Sequence, residues 1–533
     1  MPPPPLNEDI LYLICQSLCY HCCQGPDVFP NGDDVDAKEN KKTLASICRV
    51  SKACDAIARP VLYHYYATGN LIFDQPPRWY AANGGRGLIR DDKLECLART
   101  LADKPELGHH IKALQFVCGH RPYKETSKKR EAEAYALERA GRWVEPCLDR
   151  RLRQKCSVPM DMFDQIRRTL TQLVIALSPR IEVLALASDV CCWTPIPDSS
   201  RISMPNLKML LIRGVDNNMD CPMTRRPGDL LRPLFKAAPN LEKVFLMNAT
   251  EKGSPVGMSM LYGFFCEEED AEDSPETPGM LSAETHPKLR EVAYAGYDDH
   301  QLDNLLRGAT QVETLRCIWQ PHDLLEYKPA DNWPLAPLGS HLEASLRRLE
   351  ISVDGGPCAD SISWPVLSRY TALEELHISQ LAPLEPFDQP QNSLAEKVMG
   401  LIESIPSSIK HLRWAGSSEE AIALLETLHV ESSMRFPFLE RISVGSYTED
   451  VNLNGCKKAW ATYEAQHGVG FTVSWGDQAV PVFNPLALIP GSMNKKDANP
   501  PVSDDMDCSR QTDRSKGGDT FKHTDFLVPC AVV

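Results

Sequence analysis

Apolar positions recur along this chain in a spacing that is neither helical nor strictly alternating. In residues 345–352 they are Leu346, Leu349 and Ile351, a step of three followed by a step of two. The same apolar-x-x-apolar-x-apolar pattern starts at Ile111, Ile181, Leu207, Leu241, Leu289, Val312, Leu346, Leu373, Ile409 and Leu439, which makes ten copies. Most gaps between starts run from 23 to 36 residues; the exceptions are 70, from Ile111 to Ile181, and 48, from Leu241 to Leu289. Self-similarity at a period of a few tens of residues predicts a stack of repeated units.

Within a copy, the first apolar residue turns the chain into a short strand. The next two, spaced by two, share one side of it, and the residues between them point to the other. Helix-like stretches fill several gaps, at 229–240, 301–311, 394–408 and 419–430. Each unit therefore reads as strand, loop, helix, loop. Over roughly residues 92 to 480 this resembles leucine-rich repeats of the irregular kind, because the asparagine that usually follows the strand is missing in most copies. The resemblance implies an α/β solenoid: a curved, mostly parallel sheet with outer helices. Burying three leucine-class side chains contributes roughly 5–9 kcal/mol per unit before chain entropy is subtracted. One unit cannot stand alone, so the units must stack and the ends must be capped. Phe471 and Val473 read as a last, capping strand.

Ahead of the repeats, Leu6, Ile10, Leu11, Leu13, Ile14 and Leu18 fall on one broad helical stripe. Asn7 suits a helix cap, and Glu8 and Asp9 suit the first turn. Residues 25–42 are polar and read as a loop, and 43–63 as a second helical stretch. This hairpin carries too many apolar residues for its size and must pack on something else. It resembles the F-box family in its opening, Leu6-Asn7-Glu8-Asp9-Ile10, and in its close, Leu44, Ile47, Cys48, Val50, Ser51 and Lys52. The segment from Ala58 to Tyr63 is similar to the ending of many fungal F-box proteins. Asn7 stands where the family has proline, and Cys54 where a bulky aromatic is common.

That resemblance divides the chain into an F-box-like helical domain at 1–66, a linker at 67–91, a solenoid at 92–484 and a polar tail at 485–533 that is expected to be disordered. It implies that Leu6, Ile10, Ile14, Leu18, Leu44, Val50 and Lys52 dock on a Skp-family adaptor, itself held by a cullin scaffold. The repeats would hold a protein substrate near a ubiquitin-conjugating enzyme. The chain would then be a non-catalytic substrate-recognition subunit of a ubiquitin ligase. Two other readings stay open: a leucine-rich-repeat interaction scaffold with no part in ubiquitination, and an N-terminal stripe that is only the core of a cap.

Composition narrows the classes. With 533 residues and a 43% hydrophobic share, the chain can build a large core and more than one domain. A net charge of −15 leaves no overall basic footprint for nucleic acid. The N-terminus shows no secretory signal, and no apolar run approaches a membrane span, so a cytoplasmic or nuclear location is expected. Nineteen scattered cysteines fit reduced thiols. The last four residues, from Cys530, fit the outline of a prenylation signal. Valine is not a favoured last residue and no polybasic run accompanies it, so membrane attachment is not expected. No Walker loop, HExxH, GxSxG or dinucleotide fingerprint is present, so neither catalytic residues nor a cofactor is expected.

Residues 15–23, CQSLCYHCC, contain a CxxC formed by Cys19 and Cys22, with Cys15, His21 and Cys23 beside it. Structural zinc usually takes two spaced ligand pairs, and the sequence defines no clear second pair, even with Cys48 and Cys54 considered. These cysteines are therefore read as small buried hydrophobes, and no metal is expected. The charged segment 124–155 reads as a solvated helix and the acidic segment 266–279 as a loop.

Between the core positions, early copies place Met209, Leu211 and Phe245 on the second face of the strands. Later copies place Arg316, Arg348, Glu350, Glu375, His377, His411, Arg413 and Arg441 there. Arg316, Arg348, His377, His411, Arg413 and Arg441 are the candidate substrate-binding residues. They suit an acidic or phosphorylated partner, since guanidinium forks match carboxylate and phosphate. The competing reading pairs them across strands, for example Arg348 with Glu375.

Overall fold

The computed structural model describes residues 7–24, 35–67, 94–118, 170–189, 203–215, 234–249, 281–296, 302, 305–319, 340–353, 367–380, 394–415, 418–445 and 453–475. The expectations for the linker from 68 onward, for segments 124–155 and 266–279, and for the tail with Cys530 lie outside these residues.

Among the described residues the chain forms one open sheet of twelve strands whose spatial order is their sequence order. They are β1 (Tyr65–Ala67), β2 (Ala113–Cys118), β3 (Val183–Asp189), β4 (Met209–Val215), β5 (Lys243–Ala249), β6 (Glu291–Gly296), β7 (Thr314–Trp319), β8 (Arg348–Val353), β9 (Glu375–Gln380), β10 (His411–Ala415), β11 (Arg441–Gly445) and β12 (Thr472–Trp475). Every neighbouring pair is parallel, with helices set beside the sheet, so the class is α/β. This meets the expected parallel sheet and is compatible with a solenoid.

The apolar pattern sets the register. From β2 to β11 each strand begins two residues after the first apolar residue of its copy. The second apolar residues stand side by side as Leu114, Leu184, Leu210, Val244, Val292, Leu315, Leu349, Leu376, Leu412 and Ile442, all of them buried. A one-residue slip would turn this whole row away from the core. Together with the third apolar residues, such as Phe116, Ile212 and Ile351, the row belongs to one continuous core shared with the helices.

The residue between the first apolar position and the strand carries the joint between units. Its carbonyl accepts two backbone N–H groups of the next unit: the Glu182 carbonyl accepts from Lys208 at 2.8 Å and Met209 at 3.1 Å. In the ten copies this position is Lys112, Glu182, Lys208, Glu242, Arg290, Glu313, Arg347, Glu374, Lys410 and Glu440, a strict alternation of sign. Neighbours pair along it, with Lys208 3.9 Å from Glu182, Arg290 3.3 Å from Glu313, and Lys410 3.3 Å from Glu374. Each half-exposed pair is worth little, but the alternation keeps like charges from standing opposite one another on adjacent strands.

Among the described residues, four helices precede β1: α1 (Glu8–Ser17), α2 (Tyr20–Gln24), α3 (Val35–Ile47) and α4 (Lys52–Leu62). Asn7 caps α1 as expected, its Oδ1 accepting from the Asp9 N–H at 2.8 Å. The expected loop at 25–42 is corrected at its end, because α3 already begins at Val35. The expected second helical stretch at 43–63 is two helices, broken where Ser51 caps α4 and accepts from the Cys54 N–H at 3.0 Å. Leu11, Cys15, Leu44, Ala58 and Val61 form a second core, which continues through Tyr65 and Ala113 onto Val183, Ala185, Met209, Leu211 and Phe245 of the other sheet face. The early outward positions Met209, Leu211 and Phe245 are therefore buried.

Of the expected helices, α6 (Leu394–Ser404) and α7 (Ser418–Arg435) are present in the later gaps, and α5 (Leu94–Asp103) precedes the first copy. At the far end α8 (Leu453–His467) stops at Gly468, which adopts φ 63 and donates its N–H to the Glu464 carbonyl. Its Trp460 stacks on Phe471, which is buried just before β12, so the expected capping strand is found. No described helix is long and apolar enough to cross a membrane.

Gly108 lies in the 3₁₀ turn Pro105–His110, between α5 and β2. A Cβ there would meet the Leu177 carbonyl carbon at 2.9 Å and come closer still to its oxygen. Backbone cannot yield as a side chain tip can, so Gly108→Ala is expected to cost at least the upper part of the about 1–3 kcal/mol typical of overpacking. A fall in the urea midpoint, with early loss of amide protection in α5 and β2, is the expected readout.

Candidate functional site

Three places concentrate chemistry. The first is the outer face of α1. Ile10, Leu13 and Ile14 follow the three- and four-residue spacing that puts side chains on one helix face, and they are 51%, 62% and 43% exposed. Val50, in the turn between α3 and α4, is 73% exposed, and Lys52 is also exposed. Of the other expected adaptor residues, Leu18 is half-buried against the second core and Leu6 lies outside the described residues. Leu44 is corrected: it is 2% exposed and belongs to the core, because α3 packs that side against α4. Leu13 is added, a member of the helical stripe whose exposure only packing could reveal.

The second place is the sheet face of β6 to β10. Arg316 lies between Glu291 at 2.9 Å and Glu350 at 3.4 Å, and all three side chains are largely buried. Arg348 binds Glu350 and reaches Glu375 at 3.3 Å, the pairing raised as the competing reading. His411 stands 3.8 Å from Glu375 and 3.6 Å from Glu440. Arg413 pairs in register with His377 and Ser443, and Arg441 is exposed on β11. Burial, then the nearby Arg413, holds the His377 imidazole down to about 4, so it is neutral at neutral pH.

The lowered imidazole has a sign that can be tested. Between pH 6.5 and about 4 the unfolded chain binds a proton at His377 that the folded chain does not. Its contribution is intact above that window and is lost as the pH falls through it, by at most about 1.4 kcal/mol per unit. Urea midpoints at pH 7 and pH 5 should therefore fall further in the wild type than in His377→Gln. Equal falls would mean that the imidazole titrates as it does in the unfolded chain.

The third place is a cluster that the fold assembles from distant segments. Cys19 follows α1, His21 and Cys22 lie on α2, and His64 falls between α4 and β1. One donor atom from each lies within 4.8 Å of all the others. Cys22 Sγ is 3.2 Å from His64 Nδ1 and 3.9 Å from His21 Nδ1, and Cys19 Sγ is 3.8 Å from His64 Nδ1. The hydrogen bond from Cys22, aided by His64, outweighs burial and brings the Cys19 thiol down to about 4, while the same bond pushes the Cys22 thiol up. His21 Nε2 is buried and finds no hydrogen-bond partner among the described residues. Lys41 lies close by, with Nζ donating to the Tyr65 carbonyl at 3.1 Å and sitting over the Tyr65 ring. Cys48 and Cys54 do not belong to this cluster; partial burial raises the Cys48 thiol to about 11. His64 has no motif around it in the sequence and comes near only because β1 starts there.

The chain matches no model of a known protein family, and no curated protein matches it.

Proposed function

We propose that the chain is the substrate-recognition subunit of a Skp–cullin–F-box ubiquitin ligase, with the strand ladder serving as a leucine-rich-repeat solenoid. The observation that carries this reading is the exposed apolar face of Ile10, Leu13 and Ile14, with Val50 also exposed beside α4. A helix that leaves such residues in water while its other side packs against a core is suited to a partner. The F-box-like residues Leu6 to Ile10 and Leu44 to Lys52 make a Skp-family adaptor the partner of choice.

In this reading the N-terminal helices take the adaptor and its cullin scaffold, and the sheet face of the later strands takes a protein substrate. The chain holds no catalytic group of its own. It raises the effective concentration of the substrate at a ubiquitin-conjugating enzyme. Arg316 and Arg348 are committed to Glu291, Glu350 and Glu375. An acidic or phosphorylated partner would have to displace those carboxylates, whereas Arg441 stands exposed on β11. Co-purification of the full chain with a Skp-family adaptor tests the reading. Stable complex formation is expected; its absence leaves an interaction scaffold outside ubiquitination as the function.

A further inference from the structure

We propose that Cys19, His21, Cys22 and His64 form a structural zinc site that ties α1 and α2 to the first strand of the sheet. The argument rests on geometry. A tetrahedral zinc ion with bonds of about 2.3 Å to sulfur and 2.0–2.1 Å to nitrogen separates its donors by roughly 3.3–3.8 Å. The measured separations of 3.2, 3.8 and 3.9 Å bracket that range, and no pair of donor atoms exceeds 4.8 Å. Two thiols and two imidazoles suit zinc over hard cations such as magnesium and calcium, which prefer oxygen. Four protein donors fill a tetrahedral shell, which marks a structural site; a catalytic one would leave a position open.

Neighbouring groups are already committed elsewhere. Cys23 donates its thiol to the Ser17 carbonyl at 3.0 Å, and Cys15 is fully buried in the second core. The backbone of His64 is fixed, because its carbonyl accepts the N–H groups of Lys112 at 2.8 Å and Ala113 at 2.9 Å, the first rung of the ladder. The half-buried His21 ring offers Nδ1 to the cluster, 3.9 Å from Cys22 Sγ, which leaves its buried Nε2 as the nitrogen without a hydrogen-bond partner among the described residues. The five residues of α2 are too few to be stable as an isolated helix. A metal held jointly by α2 and the start of β1 fixes that short helix, and with it the end of α1.

Metal analysis of the full chain, purified without chelator, is expected to find about one zinc per chain. Cobalt substituted for it should show the visible bands of tetrahedral coordination together with a thiolate charge-transfer band. Cys22→Ser and His64→Gln should each lose most of the metal, whereas Cys23→Ser keeps it. Should either variant fail to fold, titration of the wild type with a mercurial still decides the matter, since zinc must leave as the thiols are blocked. Absence of zinc from the wild type, octahedral cobalt spectra, or a disulfide between Cys19 and Cys22 in the protein purified under reducing conditions would each overturn the assignment.

Discussion

Ile10→Asp combined with Ile14→Asp is expected to abolish the proposed capture of a Skp-family adaptor and to leave the fold intact. Both side chains are about half exposed, so a charge at either position costs the free protein little, within the roughly 0.5 kcal/mol usual for surface changes. In a desolvated interface the same charge costs several kcal/mol, and two act together. At 1.4 kcal/mol per factor of ten, affinity should fall on the order of a thousandfold or more. Co-purification measures the loss, and a urea transition that coincides with wild type shows that folding is unaffected. A folded double variant that still captures the adaptor would refute the receptor reading. Leu44→Asp is an instructive contrast. Leu44 sits in the core, so its loss of binding would come with loss of structure.

Most of the ladder was legible in the sequence, and for a specific reason. Three apolar residues at fixed spacing report a strand, the turn that enters it and the face it buries. All ten copies yielded strands, each starting two residues into its copy. What stayed hidden has equally specific causes. The strand β1 opens with tyrosines, Tyr65 and Tyr66, whose mixed polar and apolar character breaks the pattern. Residues Val35 to Lys42 of helix α3 read as loop because six of the eight are charged or polar; farther along the helix, Leu44 and Ala45 are held in the core. The alternating charge column was present in the sequence but lies at a position the apolar pattern passes over. The fourth donor of the cysteine cluster could not be found by spacing, since His64 lies 42 residues beyond Cys22. Pairing of the later arginines was visible only as an alternative, because the sequence shows which side chains share a face and not which of them meet.

Those paired charges lead to the second large effect. Arg316→Met should destabilise β6 to β8 sharply, even though arginine at a sheet face looks like a surface residue. Its side chain is 12% exposed, and its partners Glu291 and Glu350 are 14% and 10% exposed. Removing one member of a buried charge group leaves the others uncompensated, at about 3–5 kcal/mol. Lys243 stays 3.7 Å from Glu291 and Arg348 stays bound to Glu350, so the loss should fall at the lower end of that range. Stacked units need not unfold as one, so amide exchange across these three strands is the proper readout. Adding Glu350→Leu should recover part of the loss, because it removes a carboxylate that Arg316 had balanced, while Glu291 keeps Lys243. A neutral Arg316→Met would mean that the two glutamates are well solvated without the arginine.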